Sequence, residues 1–167
     1  MSNFKAPVTD INFLVNDVFK FESHYQSFPS YEEATPDLVE AIIEECAKFC
    51  ENELAPLNHS GDKEGCKFED GNVTTPTGFK DAYQQFIQAG WQGLAHPTEY
   101  GGQGLPVSLG LIKSEIVGTA NWSFGMYPGL SLGAMNTILA HGSDAQKNTY
   151  MPKLTEGTWS GTMCLTE

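Results

Sequence analysis

Positive charge is scarce in this sequence: nine lysines and arginines face twenty-one acidic residues, a formal net charge of 9 − 21 = −12. That balance argues against nucleic acid or an anionic membrane surface as a general partner. It gives no attraction to phosphorylated ligands either, so phosphate contacts would have to come from local lysines and helix amino ends. Long apolar runs are absent too. Nothing approaches a membrane span, and residues 1–20 hold no charged start followed by an apolar core, so no secretory leader is expected. Cysteine is sparse: Cys46, Cys50, Cys66 and Cys164 do not read as a disulfide framework in a chain of 167 residues with 40% hydrophobic content. Reduced thiols and a cytoplasmic location are the expectation. Their spacing, with His59 added, matches no zinc pattern, and the apolar neighbours of Cys46 and Cys50 suit buried thiols, so no metal is expected. His24, His59, His96 and His141 lie far apart with no nucleophile motif, and no catalytic residue is assigned. Internal repeats, low-complexity tracts and interdomain linkers are also missing.

What is present is helical patterning over a length that suits one domain with a sizeable core. Asp10 is expected to cap a short helix carrying Phe13, Leu14, Val18 and Phe21, followed by an aromatic connector from Tyr25 to Tyr31. Thr35, with Pro36 at the first helical position, opens the clearest helix, expected to run to Leu54 and stop before Pro56. Leu38, Ile42, Cys46, Phe49 and Cys50 form its buried stripe, and Glu40, Glu44, Glu45, Lys48 and Glu51 its solvated face. Asn58 to Asp70 reads as a polar loop, and Asp70-Gly71 as the turn of a small hairpin between residues 67–69 and 72–74. Further helices are expected over 77–89, with Gly90 as a left-handed stop, and over 106–119, with Leu109, Ile112, Ile116 and Val117 buried. The segment 124–140 is apolar on all sides, which places it centrally, with Pro128 in its first turn or kinking it. Ser143 and Gln146 make a capping box for a helix over 144–151. Tyr100-Gly-Gly-Gln-Gly104 reads as a tight interhelical turn, because no Lys-Ser/Thr follows it and no strong strand precedes it.

After the breaker Gly157, small and larger side chains alternate from Ser160 to Leu165, which favours a strand. A lone strand cannot satisfy its own ladder, and no earlier segment of comparable strength offers a partner. The stretch is therefore expected to open a β-domain that continues past Glu167. Met163-Cys-Leu-Thr-Glu167, preceded by Met151-Pro-Lys-Leu-Thr-Glu-Gly-Thr-Trp159, resembles the flavin-binding segment of acyl-CoA dehydrogenases. Pro97-Thr-Glu-Tyr-Gly-Gly-Gln-Gly104 and His141-Gly-Ser-Asp-Ala-Gln-Lys147 are similar to two more segments of that family, in family order and spacing. Phe4-Lys-Ala-Pro7, Ala34-Thr-Pro-Asp-Leu38 and Gly61-Asp-Lys-Glu-Gly-Cys66 resemble the extra segment of a larger bacterial branch that includes methylthiopropanoyl-CoA dehydrogenases.

The resemblance implies an all-α fold, the helical amino-terminal domain of the acyl-CoA dehydrogenase fold truncated at the first strand of the β-domain. Residues 1–34 would be an extension, 35–157 the helical domain and 158–167 the start of the middle β-domain. It implies FAD as cofactor, contacted here by Met163, Cys164, Leu165 and Thr166, whose amides and hydroxyl would offer donors to a ring that gains electron density on reduction. On these residues alone an ordinary edge strand fits as well. It further implies that Met126-Tyr-Pro-Gly-Leu-Ser-Leu132 borders the acyl pocket, with Met126, Tyr127, Leu130 and Ser131 as substrate contacts; core packing accounts for each of them singly just as well. The implied reaction yields a 2,3-enoyl-CoA: a glutamate removes the α-proton and the β-hydrogen leaves as hydride. In the family that glutamate lies beyond residue 167, so the 167 residues alone are expected to be inactive. Implied partners are acyl-CoA, an electron-transfer flavoprotein or similar acceptor, and further copies in a homo-oligomer. An acyl-CoA oxidase on the same scaffold and a non-catalytic helical interaction module stay open at this point.

Overall fold

The computed structural model describes residues 4–164. Helix α1 (Val8–Phe13) passes through a π turn at Leu14–Val18, and α2 (Phe21–Gln26) follows. Asp10 falls inside the first turn of α1 instead of capping it, because the helix already begins at Val8. Polar contacts clasp this segment to the body. The Glu51 carboxylate accepts the Ala6 amide at 3.0 Å and the Lys5 ammonium, and the Tyr25 hydroxyl meets Ser108 Oγ at 2.7 Å.

Helix α3 (Pro36–Phe49) begins as expected, with Thr35 Oγ1 accepting the Leu38 amide and Pro36 in the first turn. Its buried residues are Val39, Ile43, Cys46 and Ala47, so the stripe sits one position round from the one expected at Leu38 and Ile42. Those two residues border solvent because α3 packs on the later helix that carries Leu109 and Ile116. Nor does the helix stop at Leu54. A π turn at Cys50–Leu54 leads directly into α4 (Ala55–Glu64), with Pro56 in the first turn of the new stretch. Proline has no amide hydrogen to give, and the wider π turn just before it makes room for the ring. The polar residues after Asn58 are accordingly helical as far as Glu64.

The hairpin is present: β1 (Lys67–Glu69) pairs antiparallel with β2 (Asn72–Thr74), Phe68 opposite Val73, across Asp70 and Gly71 at φ 50° and 80°. Helix α5 (Phe79–Gln88) ends before Gly90, which is left-handed. Then come α6 (Val107–Ala120) and α7 (Trp122–His141), separated by Asn121 alone. Asn121 is fully buried and serves both neighbours. Its Oδ1 accepts the Phe124 amide at 3.0 Å while its Nδ2 donates to the Leu54 carbonyl at 3.1 Å. This cap starts α7 at Trp122, so Pro128 lies inside the helix, past its first turn. The Ser143–Gln146 capping box opens α8 (Asp144–Glu156), which continues through Pro152 to the left-handed Gly157 and is longer than the expected 144–151.

Two apolar clusters result. The larger joins α3, α5, α6 and the start of α7 through Ile43, Cys50, Leu54, Phe86, Leu109, Ile116 and Phe124. A smaller one, Tyr100, Met135, Met151 and Leu154, ties the end of α7 to α8. Residues 160–164 form no strand, contrary to the expectation for Ser160–Leu165. No described segment offers them a ladder, and extended backbone without a ladder is not a strand. Leu165 lies outside the described residues.

Candidate functional site

Helix α7 carries almost no charge, and its small residues leave space beside α6. A cavity of about 300 Å³ lies there, bordered by Val117, Trp122, Met126, Gly129 and Leu130, with Phe86 and Lys113. Exposure grades along it: Trp122 is 67% and Met126 44% exposed, whereas Phe86 and Lys113 are buried, so the last two form its floor. Of the expected substrate contacts, Met126 and Leu130 meet at this cavity. Tyr127, 49% exposed, turns to the other side of α7 and packs edge-on against Tyr83, ring centres 4.9 Å apart. Burial, with Tyr127 adding to it, pushes the Tyr83 hydroxyl up to about 12. Ser131 is buried, and its Oγ accepts the Gly161 amide at 3.0 Å, so this hydroxyl holds the chain's own terminal stretch against α7. Gly161 fits because its α-carbon carries nothing; a Cβ there would stand 2.7 Å from Ala134 Cβ.

Polar groups at the cavity floor were not anticipated. Lys113 sits in α6 four residues after Leu109 and three before Ile116, on the apolar stripe, and is only 5% exposed. No hydrogen bond or ion pair among the described residues engages its ammonium, which lies 5.6 Å from the centre of the Phe86 ring. Burial lowers its pKa. The Cys46 side chain and burial together push the Cys50 thiol far up, so it remains a neutral neighbour. Lys113 also lines an adjoining recess of about 110 Å³ with Gln92, His96 and Asn136. There Gln92 Oε1 and both ring nitrogens of His96 lack a partner in good geometry; Asn136 beside the imidazole interacts weakly. Burial first, and the Lys113 charge next, lower the pKa of His96. A lysine interrupting an otherwise regular apolar stripe is the signal in the sequence that marks this floor.

The glycine-rich loop is confirmed as a turn. The amides of Gly102, Gln103, Gly104 and Leu105 donate to the carbonyls of Pro97, Gly93, His96 and Leu94, leaving none for a phosphate. A Cβ on Gly102 would lie 2.1 Å from the His96 carbonyl oxygen, which explains the glycine. Of the expected flavin contacts, Met163 and Cys164 are exposed, and Leu165 and Thr166 lie outside the described residues. No backbone hydrogen bond ties Thr162, Met163 or Cys164 to another described residue. Among the described residues no group of histidine, cysteine and acidic side chains could hold a metal, and no helix is long and apolar enough to cross a membrane.

An all-α domain with a cavity between two central helices and an unpaired extended end is the class that this architecture defines. The chain belongs to the acyl-CoA dehydrogenase family: the family description "Acyl-CoA dehydrogenase, N-terminal domain" matches residues 36–158. It is 44% identical over 164 residues to the 3-methylmercaptopropionyl-CoA dehydrogenase of Ruegeria pomeroyi, covering 98% of this chain and 28% of that protein. A butyryl-CoA dehydrogenase of Syntrophomonas wolfei is 33% identical, over 78% of this chain and 22% of that protein. Among solved structures, butyryl-CoA dehydrogenase from Megasphaera elsdenii superposes with a TM-score of 0.57 at 22% identity, over 73% of this chain and 30% of that one. The resemblance noted from the sequence motifs, including the larger bacterial branch, is thereby borne out. The chain spans 28% of the length of the Ruegeria relative.

Proposed function

We propose that this chain supplies the amino-terminal helical wall of a flavin-dependent acyl-CoA dehydrogenase that converts an acyl-CoA thioester to the 2,3-enoyl-CoA. The observation that carries this reading is the apolar cavity between α6 and α7, open at Trp122 and Met126 and closed at Phe86 and Lys113, in a family member. Its size and lining suit a short acyl chain, and a thioester at the open end would leave the bulky, anionic part of the ligand in solvent. Met126 and Leu130 shield the chain from water. FAD, when bound, accepts the hydride. The residues that would hold it here are the extended Met163 and Cys164, with Leu165 and Thr166 beyond the described residues. By tying Gly161 to α7, Ser131 fixes where that extended stretch leaves the helices.

The test uses the intact gene product. Reading the coding sequence past Glu167 should reveal further strands and a second helical region, and the purified protein should be yellow and bleach anaerobically on adding an acyl-CoA. A colourless protein that binds no flavin, or a flavoprotein indifferent to every acyl-CoA, would sink the proposal.

A further inference from the structure

We propose that Lys113 makes the floor of the α6–α7 cavity a selector for acyl groups that end in a hydrogen-bond acceptor. This rests on reading that cavity as the acyl pocket. Burying an ammonium in an apolar wall is costly unless it is paired, and an aliphatic side chain at position 113 would pack there at no such cost. Packing therefore does not explain the lysine. Its neighbours do not explain it either. The ring of Phe86 at 5.6 Å offers a cation–π contact that offsets part of the burial, and the adjacent Cys50 thiol, held protonated, is no counter-ion.

Among the described residues, Lys113 is the one charged side chain lining the cavity, and no hydrogen bond or ion pair engages its ammonium. The recess on the other side of Lys113 is polar, carrying Gln92 Oε1 and the His96 ring, which Asn136 engages only weakly. A methyl-ended chain reaching this floor would leave the Lys113 ammonium unsatisfied. A hydroxyl- or carboxylate-ended chain would give Lys113 a charge-assisted acceptor, worth more than a neutral hydrogen bond.

The experiment compares matched thioesters on the intact, flavin-loaded protein: butanoyl- and hexanoyl-CoA against their ω-hydroxy and ω-carboxy counterparts. Rapid-mixing titration of anaerobic flavin bleaching gives Kd and the limiting rate for each. At one of the two lengths, the acceptor-ended thioesters should bind about 10- to 100-fold more tightly than the methyl-ended one, the range expected for a hydrogen bond to a charged group. In Lys113→Met, of similar volume without the charge, that ratio should fall to about 1. Carboxylate favoured over hydroxyl would identify the lysine as a cation, and equal preference as a neutral-range donor; both support the proposal. Equal binding of methyl- and acceptor-ended chains at both lengths would overturn it while leaving the acyl-pocket reading intact, as would an unchanged ratio in Lys113→Met. Failure of every thioester to bind would overturn both. The wild-type comparison decides the matter even if the variant folds poorly.

Discussion

The two apolar clusters of this domain are built from different materials. Around Phe86 the packing is aromatic and stiff: its ring meets Phe49 at 6.2 Å, Phe124 at 5.7 Å and Tyr83 at 6.3 Å, centre to centre. Between α7 and α8 the contact is made by Met135 and Met151 with Tyr100 and Leu154, and the cavity lies along the other half of the same glycine-rich helix. Stiff rings hold the scaffold and, through Phe86, the cavity floor, whereas unbranched thioethers tolerate small shifts where α8 packs on α7.

The sharpest way to break this contrast is Phe86→Ala. It removes a buried ring from the centre of the aromatic group and should cost about 3–5 kcal/mol in urea unfolding. Met135→Ala is the matching change in the other cluster. Flexible neighbours can close part of the gap, so the loss should sit near the lower end of the usual range, about 2 kcal/mol. Equal losses at the two positions would erase the distinction. Ser131→Ala should cost about 1 kcal/mol, because it leaves the Gly161 amide without its acceptor, and amide exchange should accelerate at Gly161 before anywhere else.

The smallest effect is a pH dependence at the amino-terminal clasp. The hydrogen bond from the Lys5 ammonium holds the Glu51 carboxyl below its ordinary value of 4.5; burial opposes this, and the Ala6 amide adds to the lowering. A depressed folded-state pKa contributes stability that is fully present above that ordinary value and is lost as pH falls through the lower, folded one. Proteolysis within residues 4–26 should therefore stay constant from neutral pH down to mildly acidic conditions and accelerate only in stronger acid. In Glu51→Gln it should be faster at neutral pH and largely independent of pH.

Local signals were legible wherever the chemistry is complete within a few residues. Thr35 with Pro36, Asp70-Gly71, Gly90 and the Ser143–Gln146 box each satisfy their own backbone groups, and all appear where the sequence places them. Signals that depend on distant partners were not. Pro56 and Pro152 look like helix stops in isolation, yet a π turn absorbs the first, and the second is carried within a helix that packs on α7. Ser160 to Cys164 has strand-like alternation, but its pairing would have to come from elsewhere. Of the candidate site, Met126 and Leu130, expected from the family resemblance, line the α6–α7 cavity, whereas Tyr127 and Ser131 do not. Lys113 was not legible, because the meaning of one charge on an apolar stripe emerges only when its lack of a counter-ion is visible in space.

The π turn at Cys50–Leu54 amounts to one residue more than a regular helical path would use. One residue is about 100° of helical phase. It sets the azimuth of α4 against α3, and so brings Gly61 beneath Phe79, where an added Cβ would lie 2.4 Å from the ring. A single deletion between Cys50 and Leu54 would therefore conserve helix content while rotating α4 out of register. Far-ultraviolet circular dichroism would barely change as the melting temperature fell. That turn acts as a phase adjuster, inserted into one continuous helix so that its two halves can face different neighbours.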